Sequence, residues 1–505
     1  MQSEFFWTLE QLLKAVGGSW LNPEVGSRSF RQVATDSREL DEQSLFIVLR
    51  GQKMDAHQFL SQAVQAKTPV CLISDQAAWA QLKQTLKPSE FQPAMVWVGD
   101  TRLALADFAR WHRQQMPVKK LIGVTGSNGK TSSKTLLLQI FAQAGKTLAT
   151  QGNLNNDFGV PRTLLQLRPE HEYAIIEMGA NHRGEIRYLT QIAQPDLTLI
   201  TNAAGAHLEG FGSLQGVIDT KGEIIESLDP EQGIAVFNAQ SPGIQDWLQK
   251  CQRLGIVQVA LFNPREDSIL NESFVGYRHF QVRDESIYFE LYGRLTDGEV
   301  FSTPISMNVL GEHHAINASA CVLLGLLAGL SLSQILQGLM QFSGVPGRLQ
   351  KAPIACGFLL DDSYNANPES VKAGLAALMA LPGQHIACLG AMGELGAFSA
   401  PGHREVAEYA AKLGVDALLV YGDAAKQMPM HFLANATPSP AFAALCAAYP
   451  DHASMIKALD QHIEHYLQTD PSPPALHLLV KGSRTAQMER IVEALVSRWG
   501  LSQPA

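Results

Sequence analysis

Two kinds of hydrophobic pattern take turns along the chain, and their order predicts an α/β protein. Short apolar runs of strand length are separated by stretches in which apolar residues return every three or four positions, the mark of a helix with one buried face. From Thr8 to Arg113, runs at 44–49, 69–73 and 94–98 alternate with helical patterns over 57–66 and 101–113. Residues 114–120 then carry Met116-Pro117 and a basic pair just before a new apolar run, which places the first boundary there. The second segment has apolar runs at 121–124, 148–150, 173–176, 197–201 and 234–237. Helical patterns of about ten residues or more separate most of them, which calls for parallel strands joined by crossover helices.

Strict alternation over 274–292 suits antiparallel strands instead, and a long helix is expected from about Ala315. The longest apolar stretch, 318–330, falls short of the roughly 20 residues of a membrane span and is broken by Gly325 and Gly329, so it reads as a buried helix. Residues 344–347, with Pro346, make a second linker. Beyond it, runs at 358–362, 386–389, 417–420 and 476–480 repeat the strand and helix pattern. The expectation is three α/β segments in series, 1–116, 117–344 and 345–505, with no solenoid repeat and no low-complexity tract.

Composition agrees. At 505 residues the chain is too long for one core, given roughly 100–200 residues per domain. With 46% apolar and only 17% charged residues, disorder is excluded as its main state. The 39 Lys and Arg against 48 Asp and Glu leave a net charge of -9, which speaks against nucleic acid as a partner and requires any anion to be held locally. Glu4 and Glu10 interrupt the N-terminus without a preceding basic run, so no secretion signal is expected and the protein is placed in the cytoplasm. The six cysteines lie far apart with no CxxC pair, as reduced core thiols would.

The strongest chemical signal is Thr125-Gly126-Ser127-Asn128-Gly129-Lys130-Thr131, between a predicted strand and a predicted helix. Glycines let backbone N–H groups turn toward phosphate oxygens, Lys130 supplies a positive charge, and the Thr131 hydroxyl can reach Mg²⁺. Five positions before Gly129 stands Val124, where the common loop has glycine, so this is a TG[ST]NGKT variant. Glu177 ends a parallel strand, where it could share a metal with Thr131 or simply face solvent. His207, in Ala206-His207-Leu208-Glu209-Gly210-Phe211-Gly212, sits in a shaped loop, although a lone loop histidine is often plain surface. Lys221, on the helical pattern 217–228, reads on spacing alone as a solvated helix lysine. In Asp361-Asp362-Ser363-Tyr364-Asn365-Ala366-Asn367-Pro368, Asp362 could accept ribose hydroxyls, while capping alone would account for Asn367 and Pro368. Lys481, after the last strand run, could face phosphate across a cleft.

The strings 125–131, 177–181, 311–317 and 346–348 resemble the Mur ligases, ATP-dependent amide-forming enzymes of peptidoglycan precursor synthesis. Four further strings, 153–161 (NLNNDFGVP), 206–212 (AHLEGFG), 362–370 (DSYNANPES) and 389–396 (LGAMGELG), resemble the branch that joins D-alanyl-D-alanine to UDP-N-acetylmuramoyl-tripeptide. The resemblance reaches nearly the whole chain, including Asp36-Ser37-Arg38 and Asp55-Ala56-His57.

It implies a three-domain architecture with an N-terminal UDP-substrate domain, a central P-loop ATPase domain built on a parallel sheet, and a Rossmann-like C-terminal domain that binds the dipeptide and closes over ATP. It further implies that Ser37, Arg38, Asn155 and Asn156 touch the UDP substrate, and that Thr131, Glu177 and His207 surround Mg²⁺. Asn317 and Arg348 would contact ATP, Asp362 the ribose, and Asn365 and Lys481 the reacting end. Lys221 would be carbamylated by CO₂, and the carbamate, unlike an ammonium, can hold a second Mg²⁺.

The implied reaction activates the tripeptide carboxylate as an acyl phosphate, which the dipeptide amine then attacks, in a monomer without a membrane span. The family's GxHNxxN reads Gly311-Glu312-His313-His314-Ala315-Ile316-Asn317, so Asn317 is carried over and His314 has no assigned role; 437–474 matches no motif. The rival readings are another Mur ligase, a folylpolyglutamate synthetase, or a noncatalytic nucleotide switch. The last would not need three metal-site candidates beyond the loop.

Overall fold

The computed structural model describes residues 5–51, 54–87, 89–205, 208–265, 272–295, 298–469 and 474–501. The chain forms two compact units. The smaller comprises residues 1–121, 146–178 and 188–194. Its five-stranded sheet runs Ser19–Trp20, Ala94–Trp97, Val70–Ile73, Ser44–Ile47 and Gln32–Ala34 in spatial order. The first strand is antiparallel to its neighbour and the others are parallel. The three apolar runs expected here are the three central strands, nearly all of whose residues are buried, as strands covered on both faces must be. The helix expected over 101–113 is Thr101–Gln115, started by Asp100, whose carboxylate accepts from the N–H groups of Arg102 and Leu103. Phe46, Leu60, Cys71, Trp79 and Met95 form a core between sheet and helices. The unit also contains the parallel pair Thr147–Ala149 and Tyr173–Glu177.

The larger unit comprises residues 122–145, 179–187 and 195–505. Strand β1 (Lys120–Thr125) leads into the phosphate-loop motif and helix α1 (Lys130–Phe141). Next come β2 (Leu197–Ile200), α2 (Leu214–Lys221), β3 (Ile234–Asn238) and β4 (Gln258–Phe262). A meander follows of β5 (Ser273–Arg283), β6 (Ser286–Arg294) and β7 (Val300–Met307). These strands lie side by side in the order β7-β6-β5-β4-β3-β2-β1. Pairing is parallel from β1 to β5 and antiparallel from β5 to β7.

The alternation at 274–292 thus marks a real hairpin. β7 escapes the apolar-run reading because Pro304 interrupts an alternating segment, which suits its place at the sheet edge. Helix α3 (His313–Leu327) begins two residues before the expected start and is buried along most of its length. Helix α4 (Leu332–Met340) follows it, and both pack on α1.

A second sheet in this unit contains β8 (Gln350–Ile354), β9 (Gly357–Asp362), β10 (Gln384–Gly390), β11 (Ala417–Tyr421), β12 (Ala448–Tyr449) and β13 (Leu476–Lys481). Its order is β8-β9-β13-β10-β11-β12, parallel except for the edge strand β8, which carries Pro353. Helix α5 (Pro368–Met379) follows β9. The stretch 437–474, which matches no motif, supplies β12 and the helix His452–Thr469. All six cysteines are free thiols in the cores. Among the described residues no helix is long and apolar enough to cross a membrane.

Gly338, inside α4, lets that helix lie directly on α1. A Cβ there would stand 2.4 Å from Cα and 2.7 Å from N of Ile140, backbone atoms that cannot swing aside. On helix propensity alone Gly338→Ala would gain about 1 kcal/mol. Overpacking at this contact should reverse the sign and cost about 1–3 kcal/mol. Denaturant unfolding measures it, and a midpoint at or above the parent's would contradict the contact.

Candidate active site

The phosphate-loop motif is held from behind by the end of β2. Asn128 donates its N–H to Asn202 Oδ1 at 3.0 Å, and its carbonyl accepts from Thr201 Oγ1 at 2.6 Å and Asn202 Nδ2 at 3.3 Å. Ser127 Oγ accepts from Ala204 N at 2.9 Å, and Ser127 N donates to Asn202 O at 3.0 Å. At Gly126, φ is 145°, and a Cβ would fall 1.9 Å from Thr201 Oγ1, so only glycine fits between loop and strand. Thr125 is wholly buried at the end of β1 and its carbonyl accepts from Thr201 N at 3.0 Å. Lys130 Nζ lies over the loop, donating to Gly126 O at 2.6 Å and Ser127 O at 3.1 Å. Gly129 stands at the N-cap of α1 with no side chain to cap it, which leaves the positive end of the helix facing the loop.

The segment after α4 reaches the same place. A cleft of about 270 Å³ is lined by the loop from Ser127 to Lys130, by Asn202, His313 and Asn317, and by Arg348, Asp362, Asn365, Asn367 and Lys481. Arg348 donates from Nη2 to Thr131 Oγ1 at 3.2 Å, and its guanidinium lies 4.4 Å from the centre of the Tyr364 ring. Lys481, which is buried, and Asp362, which is half-buried, form an ion pair at 2.7 Å. Lys481 also donates to Asn365 O at 2.9 Å, and Asp362 Oδ1 accepts from Leu349 N at 3.2 Å. Burial raises the Asp362 carboxyl against the pull of Lys481, and burial lowers the Lys481 ammonium against the pull of Asp362. The predicted ribose acceptor and the predicted phosphate-facing cation are therefore each other's partner.

Lys221 departs furthest from a spacing-based reading. The helical pattern expected over 217–228 ends as an α-helix at Lys221 and continues as a 3₁₀-helix over Gly222–Ser227. Lys221 is 1% exposed at that junction, so the solvated helix lysine is corrected to a buried one. Its Nζ lies 5.2 Å from the centre of the Phe211 ring. Burial first, and repulsion from Lys130 second, lower its ammonium to about 7, while Glu223 and Glu185 act the other way.

The remaining candidates, His207 aside, belong to the smaller unit. There, Glu177 is buried, its Oε1 accepts from Asn155 Nδ2 at 2.8 Å, and its N–H donates to Thr150 Oγ1 at 2.9 Å. Asn156 accepts from Gly159 N at 2.9 Å, at the start of the helix Gly159–Leu164. Ser37 opens a 3₁₀ turn in which Asp36 accepts from the N–H of Arg38, and the Arg38 side chain is exposed. His207 lies outside the described residues. Among the described residues, no group of three or more histidine, cysteine or acidic side chains gathers as a metal cage. His314, without an assigned role from sequence, is a buried ring 4.3 Å from His313 and 5.6 Å from Phe342 with no hydrogen-bond partner at either nitrogen, and burial keeps it neutral.

Sequence reasoning did not single out Asn202, whose only signal is its place one residue past an apolar run. It also read Asn367 as a cap and no more.

Two family descriptions match: the Mur ligase middle domain over residues 124–325, and the Mur ligase, glutamate ligase domain over residues 347–484. The chain is 37% identical over 489 residues to UDP-N-acetylmuramoyl-tripeptide–D-alanyl-D-alanine ligase of Escherichia coli K12, covering 97% of this chain and 98% of that protein. The crystal structure of MurF from Acinetobacter baumannii is similar with a TM-score of 0.83 and 32% identity, over 98% of this chain and 99% of that one. A folylpolyglutamate synthase of Mycobacterium tuberculosis, solved with ADP and AMPPCP, shares the fold alone, at 15% identity and a TM-score of 0.60 over 78% of this chain.

The burial of Lys221 has a pH signature. The unfolded chain holds this proton up to the ordinary value of 10.5 and the folded chain only to about 7, so between those values the unfolded state binds more protons and stability rises with pH. At or below pH 7 the full cost of the buried ammonium is present. In carbonate-free buffer, Lys221→Met should therefore melt several degrees above the parent at pH 6.5, and the gap should shrink by pH 9.5. A gap independent of pH would show that Lys221 is not buried as a titrating amine.

Proposed function

Because the chain belongs to the Mur ligase family, we propose that it joins D-alanyl-D-alanine to UDP-N-acetylmuramoyl-tripeptide, forming the pentapeptide precursor of peptidoglycan. It is an ATP-dependent, ADP-forming peptide ligase with an α/β fold of the three-domain Mur ligase architecture. The observation that carries the reading is one cleft lined both by the phosphate loop and by Arg348, Asp362 and Lys481. Relatives of the same description match over nearly the full length, whereas the folylpolyglutamate synthase shares only the fold.

The residues suit the groups the reaction needs. The glycine-built loop and the uncapped positive end of α1 suit a polyphosphate. Thr131 and Glu177 each offer a hard oxygen of the kind Mg²⁺ prefers, and His207 is kept as a further candidate. When bound, ATP supplies the phosphoryl group that turns the substrate carboxylate into an acyl phosphate, and Mg²⁺ spreads the charge that develops. Lys130 holds its ammonium over the loop, where the β- and γ-phosphates would lie, and Arg348 braces the Thr131 hydroxyl from the opposite wall. Asn317, assigned to ATP, and Asp362, assigned to the ribose, line the same cleft.

Lys221 fits the carbamate reading for a physical reason. An amine whose proton leaves near pH 7 is neutral in about half the molecules at that pH, and in this form its nitrogen can attack CO₂, lose a proton and become an anionic oxygen ligand for a second Mg²⁺. Carbamylation also replaces a buried cation by an anion beside Lys130, which removes the repulsion between the two lysines.

We assign 1–116, with Ser37 and Arg38, to the UDP end of the substrate, helped by Asn155 and Asn156. Segment 117–344 takes ATP, and 345–505, with Asn365 and Lys481, takes the dipeptide and the reacting end. Closure would keep water from an acyl phosphate, which hydrolyses readily. The protein is assigned to the cytoplasm as a monomer, where its UDP-linked substrate is dissolved.

Phosphate should be released only when ATP, Mg²⁺, UDP-N-acetylmuramoyl-tripeptide and D-alanyl-D-alanine are all present. Equal release with L-glutamate and a folate would sink the assignment. Lys221→Ala should fall to near background and recover in part with acetate or propionate, which can place a carboxylate in the vacated space. Full activity in that variant without added acid would remove the carbamate.

A further inference from the structure

Asn367 does more than cap a helix. It is the N-cap of α5, where its Oδ1 accepts from Ser370 N at 2.9 Å while Ser370 Oγ accepts from Asn367 N at 3.0 Å. Only an oxygen can accept from that N–H, so the capping bond fixes which way round the carboxamide lies. Its Nδ2 must then point away from the helix, and it donates to Asn128 Oδ1 at 2.7 Å; Asn128 Nδ2 approaches Asn367 Oδ1 at 3.4 Å.

Neither partner is loose. The Asn128 backbone is clamped on both sides by Thr201 and Asn202, and Asn367 is 7% exposed within its capping box. Residues 239 positions apart are thus joined amide to amide, one in the phosphate loop and one at the helix that follows the Asp362 strand. Arg348 to Thr131 is the second tie between these same parts.

We propose that Asn367 is a positioning residue for the ligase reaction. Through Asn128 it sets the phosphate loop in register with α5, and so with Asp362 and Lys481 at the strand ends beside it. This rests on the function proposed above and adds a residue to it. Asn is suited to the task because its short side chain carries an acceptor for the helix and a donor for the loop at once. Serine would cap equally well but is too short to reach Asn128, and alanine would do neither.

The difference between those two substitutions is the test. Asn367→Ser and Asn367→Ala should both lose about tenfold in kcat, as expected for one neutral hydrogen bond, with the equilibrium affinity for ATP changed by less than about twofold. Asn128→Ala should lose the same factor, and the Asn128→Ala/Asn367→Ser double variant should be no worse than either single one. In nucleotide-free protein, Asn367→Ser should exchange the N–H groups of Arg348 and Tyr364, which donate to Val345 O and Gly347 O, faster than the parent does.

Parent-like kcat in Asn367→Ser with a loss in Asn367→Ala would mean that capping is the whole role and would overturn the proposal. Multiplying losses in the double variant, or unchanged exchange, would overturn it as well. A parent chain without four-component turnover would instead refute the ligase reading, while the exchange comparison would still decide whether the amide pair holds the two parts together.

Discussion

The backbone of the phosphate loop must lie against the end of β2 with no side chain between them, and the larger unit is arranged around that demand. Gly126 leaves room for Thr201, and Thr201 and Asn202 satisfy both the carbonyl and the N–H of Asn128. Once these groups are bound from behind, the loop backbone is fixed against the strand end. Its remaining polar surface, the Lys130 ammonium and the open end of α1 then face a single cleft. The position of Arg348 on the Thr131 hydroxyl, and of Asn367 on Asn128, makes sense only against a loop that is already rigid.

Two buried lysines near this cleft show two solutions to one electrostatic problem. Lys481 is held against a carboxylate at 2.7 Å, whose pull opposes the effect of burial. Lys221 has an aromatic face at 5.2 Å and a like charge as its main electrostatic neighbour, and burial with that repulsion lowers its ammonium to about 7. The chain's net charge of -9 therefore says little about these sites. Each is governed by the few groups within reach, and a cation can be selected in one place and suppressed in another.

Much of the architecture was legible in the sequence wherever burial is two-sided. Strands such as Val70–Ile73 and Ala417–Tyr421 are continuous apolar runs because both faces are covered, and run length alone reveals them. Edge strands β7 and β8 were not legible: each carries a proline, which an edge tolerates and a run-based reading discards. The phosphate loop was legible because its chemistry is local. Burial of Lys221 was not, since it depends on α2 giving way to a 3₁₀ turn and on contacts from elsewhere in the chain. The pairing of Asn128 with Asn367 was hidden for the same reason, as no local spacing encodes a bond across 239 positions.

The six cysteines, each sealed in a core, carry a practical consequence. Burial raises the thiols of Cys356 to about 11 and of Cys251 and Cys388 to about 12, and it raises Cys71, Cys321 and Cys446 as well. A thiol that is both inaccessible and protonated is a poor nucleophile toward maleimides, peroxide or metal ions. The folded native chain therefore presents a background silent to thiol chemistry. A single surface cysteine added by design would be the one reactive handle, so dyes or spin labels could follow motions of the C-terminal segment without first stripping the protein of its own sulfur.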